Sequence, residues 1–142
     1  MPLVNFHVVE QCCTAEQRKT LLKAASQLYS EVLASPMERV RAFITLRNAE
    51  ECAVGGELVS NNQLHAPVFE FLVLEGRSLE ERQRLMSGFT QLLVEVLGVD
   101  PTLVRGRCIR VPPRDWCIGG TGADSVREQE IAARAVAQGV EP

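Results

Sequence analysis

Two rhythms of apolar and polar positions alternate along the chain, and the whole sequence of elements comes round twice. Residues 3–9, LVNFHVV, interleave apolar side chains with Asn5 and His7, the short period of a strand. Thr14 then supplies a polar cap. Over residues 15–33 the apolar positions Leu21, Leu22, Ala25, Leu28, Tyr29, Val32 and Leu33 make one wide helical face. Ser35 and Pro36 end that helix, and residues 40–46 predict a second strand. Gly55 and Gly56 permit a tight turn into a short hairpin with Leu58 and Val59.

The second half repeats this plan. Residues 68–74 predict a strand, and Ser78 with Glu81 has the spacing of a capping box at the start of a helix running to residue 97. A strand over residues 103–111 and a turn at Gly119 and Gly120 follow. Residues 124–138 form a mostly polar helical stretch with Val126, Ile131, Ala135 and Val136 to pack.

An offset of 64 pairs Thr14 with Ser78, Glu16 with Glu80, Arg18 with Arg82, Leu21 with Leu85, Val40 with Val104 and Arg41 with Arg105. The same frame pairs Val54-Gly55-Gly56 with Ile118-Gly119-Gly120. A duplicated β-α-β unit accounts for all of these matches. The expected fold class is therefore α+β, one domain over residues 1–123 built from two tandem β-α-β units (about 1–64 and 65–123), with a helical tail over residues 124–142. The two strands of each unit should run parallel, giving a four-stranded sheet with two helices on one face. The apolar run 68–74 implies burial on both faces, and two helices cover only one. Oligomerisation is the natural source of the missing layer.

Composition narrows the function classes. At 142 residues, 46% hydrophobic and 23% charged, the chain suits one sizeable core. It carries no apolar run of membrane-spanning length and no signal-peptide pattern at its amino end, so a cytoplasmic location and no membrane partner are expected. Five cysteines without a C-x-x-C pair fit a reducing compartment, and two histidines set apart from any cysteine pair give no zinc pattern. The net charge of −3 speaks against nucleic acid as a partner. Thirteen of the fifteen cations are arginine, the side chain that grips planar carboxylates through two parallel hydrogen bonds. Small organic acids thus become candidate ligands, although codon usage explains an arginine bias equally well. A phosphate site at Gly119, Gly120, Thr121 and Gly122 is disfavoured, because the stretch lacks a lysine and a clear strand-to-helix junction.

Pro2 stands directly behind the initiator methionine. If Met1 is removed, Pro2 becomes a secondary amine at the head of a strand. An α-amino group has a reference pKa of roughly 7.7 to 8.0, so apolar surroundings or a nearby guanidinium need lower it only modestly to leave a general base neutral near pH 7. Proline is also an ordinary first residue of a strand, and with Met1 retained its nitrogen is an amide without basicity.

These features together resemble the tautomerase superfamily, whose members use an amino-terminal proline on a β-α-β unit, and in particular its fused two-unit members. AVGGELVS at positions 53–60 resembles 4-oxalocrotonate tautomerase, as do LEGRS at 74–78 and WCIGG at 116–120 in the second unit. The resemblance implies a trimer without cofactor or metal, acting as an isomerase on a small carboxylate. It makes Pro2 the base, Arg77 a substrate-carboxylate arginine, Arg41 and Arg105 counterparts of the arginine at the start of the second strand, and Trp116 the aromatic that keeps the pocket apolar. Cys13 and Cys52 stand where the first unit would need its own arginine and aromatic, and Val68 follows Pro67 in peptide linkage. One working site per chain is expected. Fused relatives also include 5-carboxymethyl-2-hydroxymuconate isomerase, malonate semialdehyde decarboxylase and cis-3-chloroacrylate dehalogenase. Glu38 lies near the decarboxylase's acidic residue and could activate water, but the single Arg77 lacks the paired arginines of those two enzymes. A non-catalytic trimeric binding protein is the alternative of another class.

Overall fold

The computed structural model describes residues 2–139. Strand β1 (Leu3–Val9) leads to helix α1 (Ala15–Leu33) and strand β2 (Arg41–Arg47), and a hairpin of β3 (Ala53–Val54) and β4 (Glu57–Leu58) precedes a one-turn helix α2 (Val59–Asn62). The second unit runs β5 (Val68–Leu74), α3 (Leu79–Leu97), β6 (Arg105–Val111), the hairpin β7 (Cys117–Ile118) and β8 (Thr121–Gly122), and α4 (Ala123–Val126). Helix α5 (Glu128–Ala137) follows. The main sheet has the order β2-β1-β5-β6, parallel within each unit and antiparallel where β1 meets β5.

Local chemistry sets the elements. Thr14 and Gln17 close a capping box on α1, as Ser78 and Glu81 do on α3. Tight turns at Met37–Arg39 and Pro101–Leu103 take up the residues ahead of β2 and β6, so these strands begin at Arg41 and Arg105 rather than at 40 and 103. In the first hairpin the returning strand is Glu57–Leu58, and Val59 already opens α2.

The core lies between the helices and one face of the sheet. Val4, Phe6 and Val8 of β1 and Phe69, Phe71 and Val73 of β5 meet Leu21, Ala25 and Tyr29 of α1 and Leu85, Phe89 and Leu93 of α3. Tyr29 is fully buried, and its hydroxyl donates to the carbonyls of Leu3 and Leu72, tying α1 to both central strands. Burial pushes its phenol far above the ordinary range.

The repeat and the open face of the sheet both take definite form. The offset of 64 holds for helices, second strands and hairpins, but β1 and β5 are 65 apart, because residues 10–14 precede α1 where residues 75–78 precede α3. Pro67 is accordingly the counterpart of Pro2. The Arg41 N–H donates to the Pro2 carbonyl at 2.8 Å, and the Arg105 N–H donates to that of Pro67 at 3.1 Å. Within the single chain the run 68–74 is covered on one face only, as two helices over four strands require. Its burial alternates, with Val68 40% exposed, and Phe43 on the same open face is 50% exposed. That face carries a polar row across all four strands, in which Arg47 meets His7, His7 meets Glu70, and Arg107 grips Glu70. The hydrogen bond from Arg107 holds the Glu70 carboxyl below the usual range.

Candidate active site

Pro2 is buried at the point where β1 leaves the core, beside the end of β5 and the turn that follows it. That turn is LEGRS: Gly76 adopts φ +104°, and the chain then enters α3 at its Ser78 cap. Arg77 is thereby directed back toward α1. Its Nη1 donates to the Leu33 carbonyl at 2.9 Å and to Glu81 Oε2 at 3.0 Å, leaving the side chain 14% exposed. Burial raises the Glu81 carboxyl, but the Ser78 N–H and the Arg77 guanidinium outweigh it, and the group sits below the usual carboxylate range.

Pro2 and Arg77 line one cleft together with Arg39, Ile118, Arg127 and Arg134. Glu130 of α5 also reaches it, pairing with Arg39 through two parallel hydrogen bonds of 3.0 Å each. Arg134 is half-buried, and its Nη1 has no hydrogen-bond partner among the described residues. Desolvation and the neighbouring Arg77 pull its guanidinium below the ordinary value. Several guanidinium groups around one cleft suit an anionic ligand, since each cation favours a bound carboxylate.

The other expected residues lie apart from this cleft within the protomer. The Arg41 guanidinium folds onto the carbonyls of Glu38 and Val40, and Arg105 repeats this with Thr102 and Val104. Both are exposed where the open face of the sheet begins. Glu38 is exposed, and Trp116 is partly buried before the second hairpin, where Ile118 rather than the indole lines the cleft.

A family model for tautomerase enzymes matches residues 2–62. The 2-hydroxymuconate tautomerase of Pseudomonas sp. (strain CF600) is 35% identical over 60 residues, which is 42% of this chain and 94% of that protein. The chain belongs to the tautomerase family. Its fold extends the likeness beyond the first unit. A native fused 4-OT superposes with a TM-score of 0.80 at 19% identity, and a Q0 fused 4-OT described as a symmetric trimer gives 0.77 at 24%. Each pairing covers 87% of this chain and 98% of the other. These relatives support a tautomerase or isomerase activity.

Of the residues around this cleft, the sequence reading missed Arg39, Arg127, Glu130 and Arg134. A signal for the last three was available, since positions 127, 130 and 134 have i, i+3, i+7 spacing and fall on one helical face. Arg39 carries no comparable signal, because a turn rather than a periodic element orients it.

Proposed function

We propose that the chain, once Met1 is removed, interconverts enol and keto isomers, or double-bond isomers, of a small unsaturated 2-hydroxy or 2-oxo carboxylic acid such as a hydroxymuconate. The observation that carries this reading is buried Pro2 sharing a cleft with Arg39, Arg77, Arg127 and Arg134. Burial and adjacent cations both disfavour the charged form of the prolyl amine, which keeps it neutral and basic.

In the proposed reaction the Pro2 nitrogen takes the proton of the 2-hydroxyl group. The C2–O bond becomes a carbonyl as the double bonds shift, and the same proton is returned to a more distant carbon of the chain. Atoms and charge balance without a cofactor. Arg77, held in place by Glu81 and the Leu33 carbonyl, binds a substrate carboxylate and offsets charge building on the oxygen.

Arg41, Arg105 and Trp116 enter this proposal through assembly. The apolar residues Phe43 and Val68 on the open sheet face favour burial against other copies, and a trimer would carry exposed arginines of one protomer toward a neighbour's cleft. The fused relative described as a symmetric trimer supports that arrangement. Sedimentation would show a trimer, and a stable monomer with full activity would remove these three residues from the site.

Intact-mass measurement of Met1 removal comes first, followed by an assay of 2-hydroxymuconate or phenylenolpyruvate ketonisation. Pro2→Ala should lower kcat/KM by roughly 10²- to 10⁴-fold, the range of a positioned general base. Undiminished conversion by that variant would refute Pro2 as the base, and no conversion by the trimmed protein would refute the tautomerase reading.

A further inference from the structure

The two halves of the chain treat equivalent grooves differently. In the first unit α2 ends at Gln63, which turns left-handed at φ 55° and sends the chain directly to β5. The groove beside it, bordered by Leu97, Val99 and Leu103, stays open as a cavity of about 860 Å³. The residues 64 positions earlier are Leu33, Ser35 and Arg39, and these border the Pro2 cleft. There the chain does not turn away. Arg127 bends at φ −115°, ψ 22°, and α5 lies across the groove. The cavity that reaches Pro2 is about 20 Å³, room for about one water molecule and far too small for a six-carbon diacid, while a separate cavity of about 320 Å³ against Arg39, Arg77, Glu130 and Arg134 is not lined by Pro2.

Few contacts hold α5 down. None of its residues is fully buried, and Val136 is 68% exposed. The specific ties to the body of the fold are the two-pronged Arg39–Glu130 pair and a 2.8 Å hydrogen bond from Gln138 Nε2 to the Gly76 carbonyl beside Arg77. Glu130 is thus a carboxylate from the chain itself, presented to a cleft arginine in the fork geometry that any planar carboxylate would adopt.

We propose that Arg39 is a substrate-carboxylate receptor of the Pro2 site, that Glu130 occupies it in the resting protein, and that α5 is a strap which an entering diacid displaces by competing for Arg39. This rests on Pro2 marking the active site. Arg39 then selects for an acid with a second carboxylate away from the reacting end, and Arg127 is the hinge. The other half, with an open groove and Pro67 in peptide linkage, needs no strap.

Two readouts test this on the full-length, Met1-trimmed protein. The first is the rate at which 3-bromopropionate alkylates Pro2, located by peptide mass spectrometry to separate it from cysteine alkylation, with neutral 3-bromopropionamide run in parallel. In this step the prolyl nitrogen displaces bromide from carbon and its proton leaves to solvent. Glu130→Gln should speed both reagents, the acid more, by on the order of fivefold, what loss of an exposed ion pair is worth. Arg39→Gln should also speed the amide but lower the acid-to-amide ratio. Equal rates in wild type and Glu130→Gln would overturn the strap, and an unchanged ratio in Arg39→Gln would overturn the receptor. The second readout is hydrogen exchange of residues 128–139 with cis,cis-muconate as the probe. Faster exchange is expected in wild type and no further change in Glu130→Gln, whereas exchange indifferent to the diacid would overturn displacement. If Pro2 resists alkylation in every variant, the base assignment fails, and the exchange result alone decides the strap and its displacement from Arg39.

Discussion

Arg77 and Glu81 stand one helical turn apart and share more than an ion pair. Glu81 Oε1 accepts from the Ser78 backbone N–H at 3.0 Å while Oε2 accepts from Arg77 Nη1, also at 3.0 Å, so one carboxylate both caps α3 and aims the candidate substrate arginine. Its place three residues after the cap and four after the arginine makes both contacts possible at once.

Glu81→Ala should therefore cost stability and substrate affinity together. Loss of the capping box removes roughly 0.5 to 2 kcal/mol, readable as a lowered urea midpoint with unchanged slope. KM should rise while kcat falls less. Glu81→Gln keeps the neutral hydrogen bonds and should recover most of the stability but not the KM.

Arg77→Ala removes the guanidinium without disturbing Ser78. If Arg77 binds the carboxylate, kcat/KM should fall by about ten- to a hundredfold, matching the roughly 1.5 to 3 kcal/mol of a charged hydrogen bond. A monoacid and a diacid compared side by side would show whether the loss follows the carboxylate at the reacting end.

Gly106 of β6 lies under the ring of Phe69, and a Cβ at that position would run into the ring. Phe69 cannot swing away, because its ring is fixed against Phe6, Phe71 and Phe89. Gly106→Ala should destabilise by about 1 to 3 kcal/mol in urea unfolding, the usual cost of overpacking.

Two pH limits follow from the shifted groups. Burial raises the Tyr29 phenol, so above about pH 10 the unfolded chain loses a proton that the folded chain retains, and stability declines as pH rises further. Tyr29→Phe should lose the phenol's share of this alkaline decline while costing about 1 to 2 kcal/mol at neutral pH, from the carbonyls of Leu3 and Leu72 left without their donor. Glu81 and Glu130 are depressed, so the stability they contribute is complete above the unfolded carboxylate value near 4.3 and is lost as pH falls through their lower folded values. Denaturant midpoints measured from pH 3 to 11 check both limits.

The elements were legible because each rests on neighbours in sequence. The bounds of β1, α1, β5 and α3 follow from alternation, from a 3.6-residue apolar face and from Thr14 and Ser78, whose capping partners lie three residues on. The duplication was legible for the same reason. Its one-residue break is already implied by strands predicted at 3–9 and 68–74 with caps at 14 and 78, and the sheet gives it meaning by placing Pro2 and Pro67 at equivalent positions.

Sequence alone thus determined the two β-α-β units, the core faces, the family resemblance, and Pro2 and Arg77 as candidates, all of them consequences of local spacing or short motifs. Tertiary structure decided which cations surround Pro2. Arg39 and Glu130 are 91 positions apart and meet only because α5 folds back over the groove. Arg41 and Arg105, which share their sequence context with Pro2's own unit and its repeat, point instead to the exposed edge of the sheet. Periodicity fixes the face of an element on which a residue lies, but the partner across that face is set by how distant segments pack.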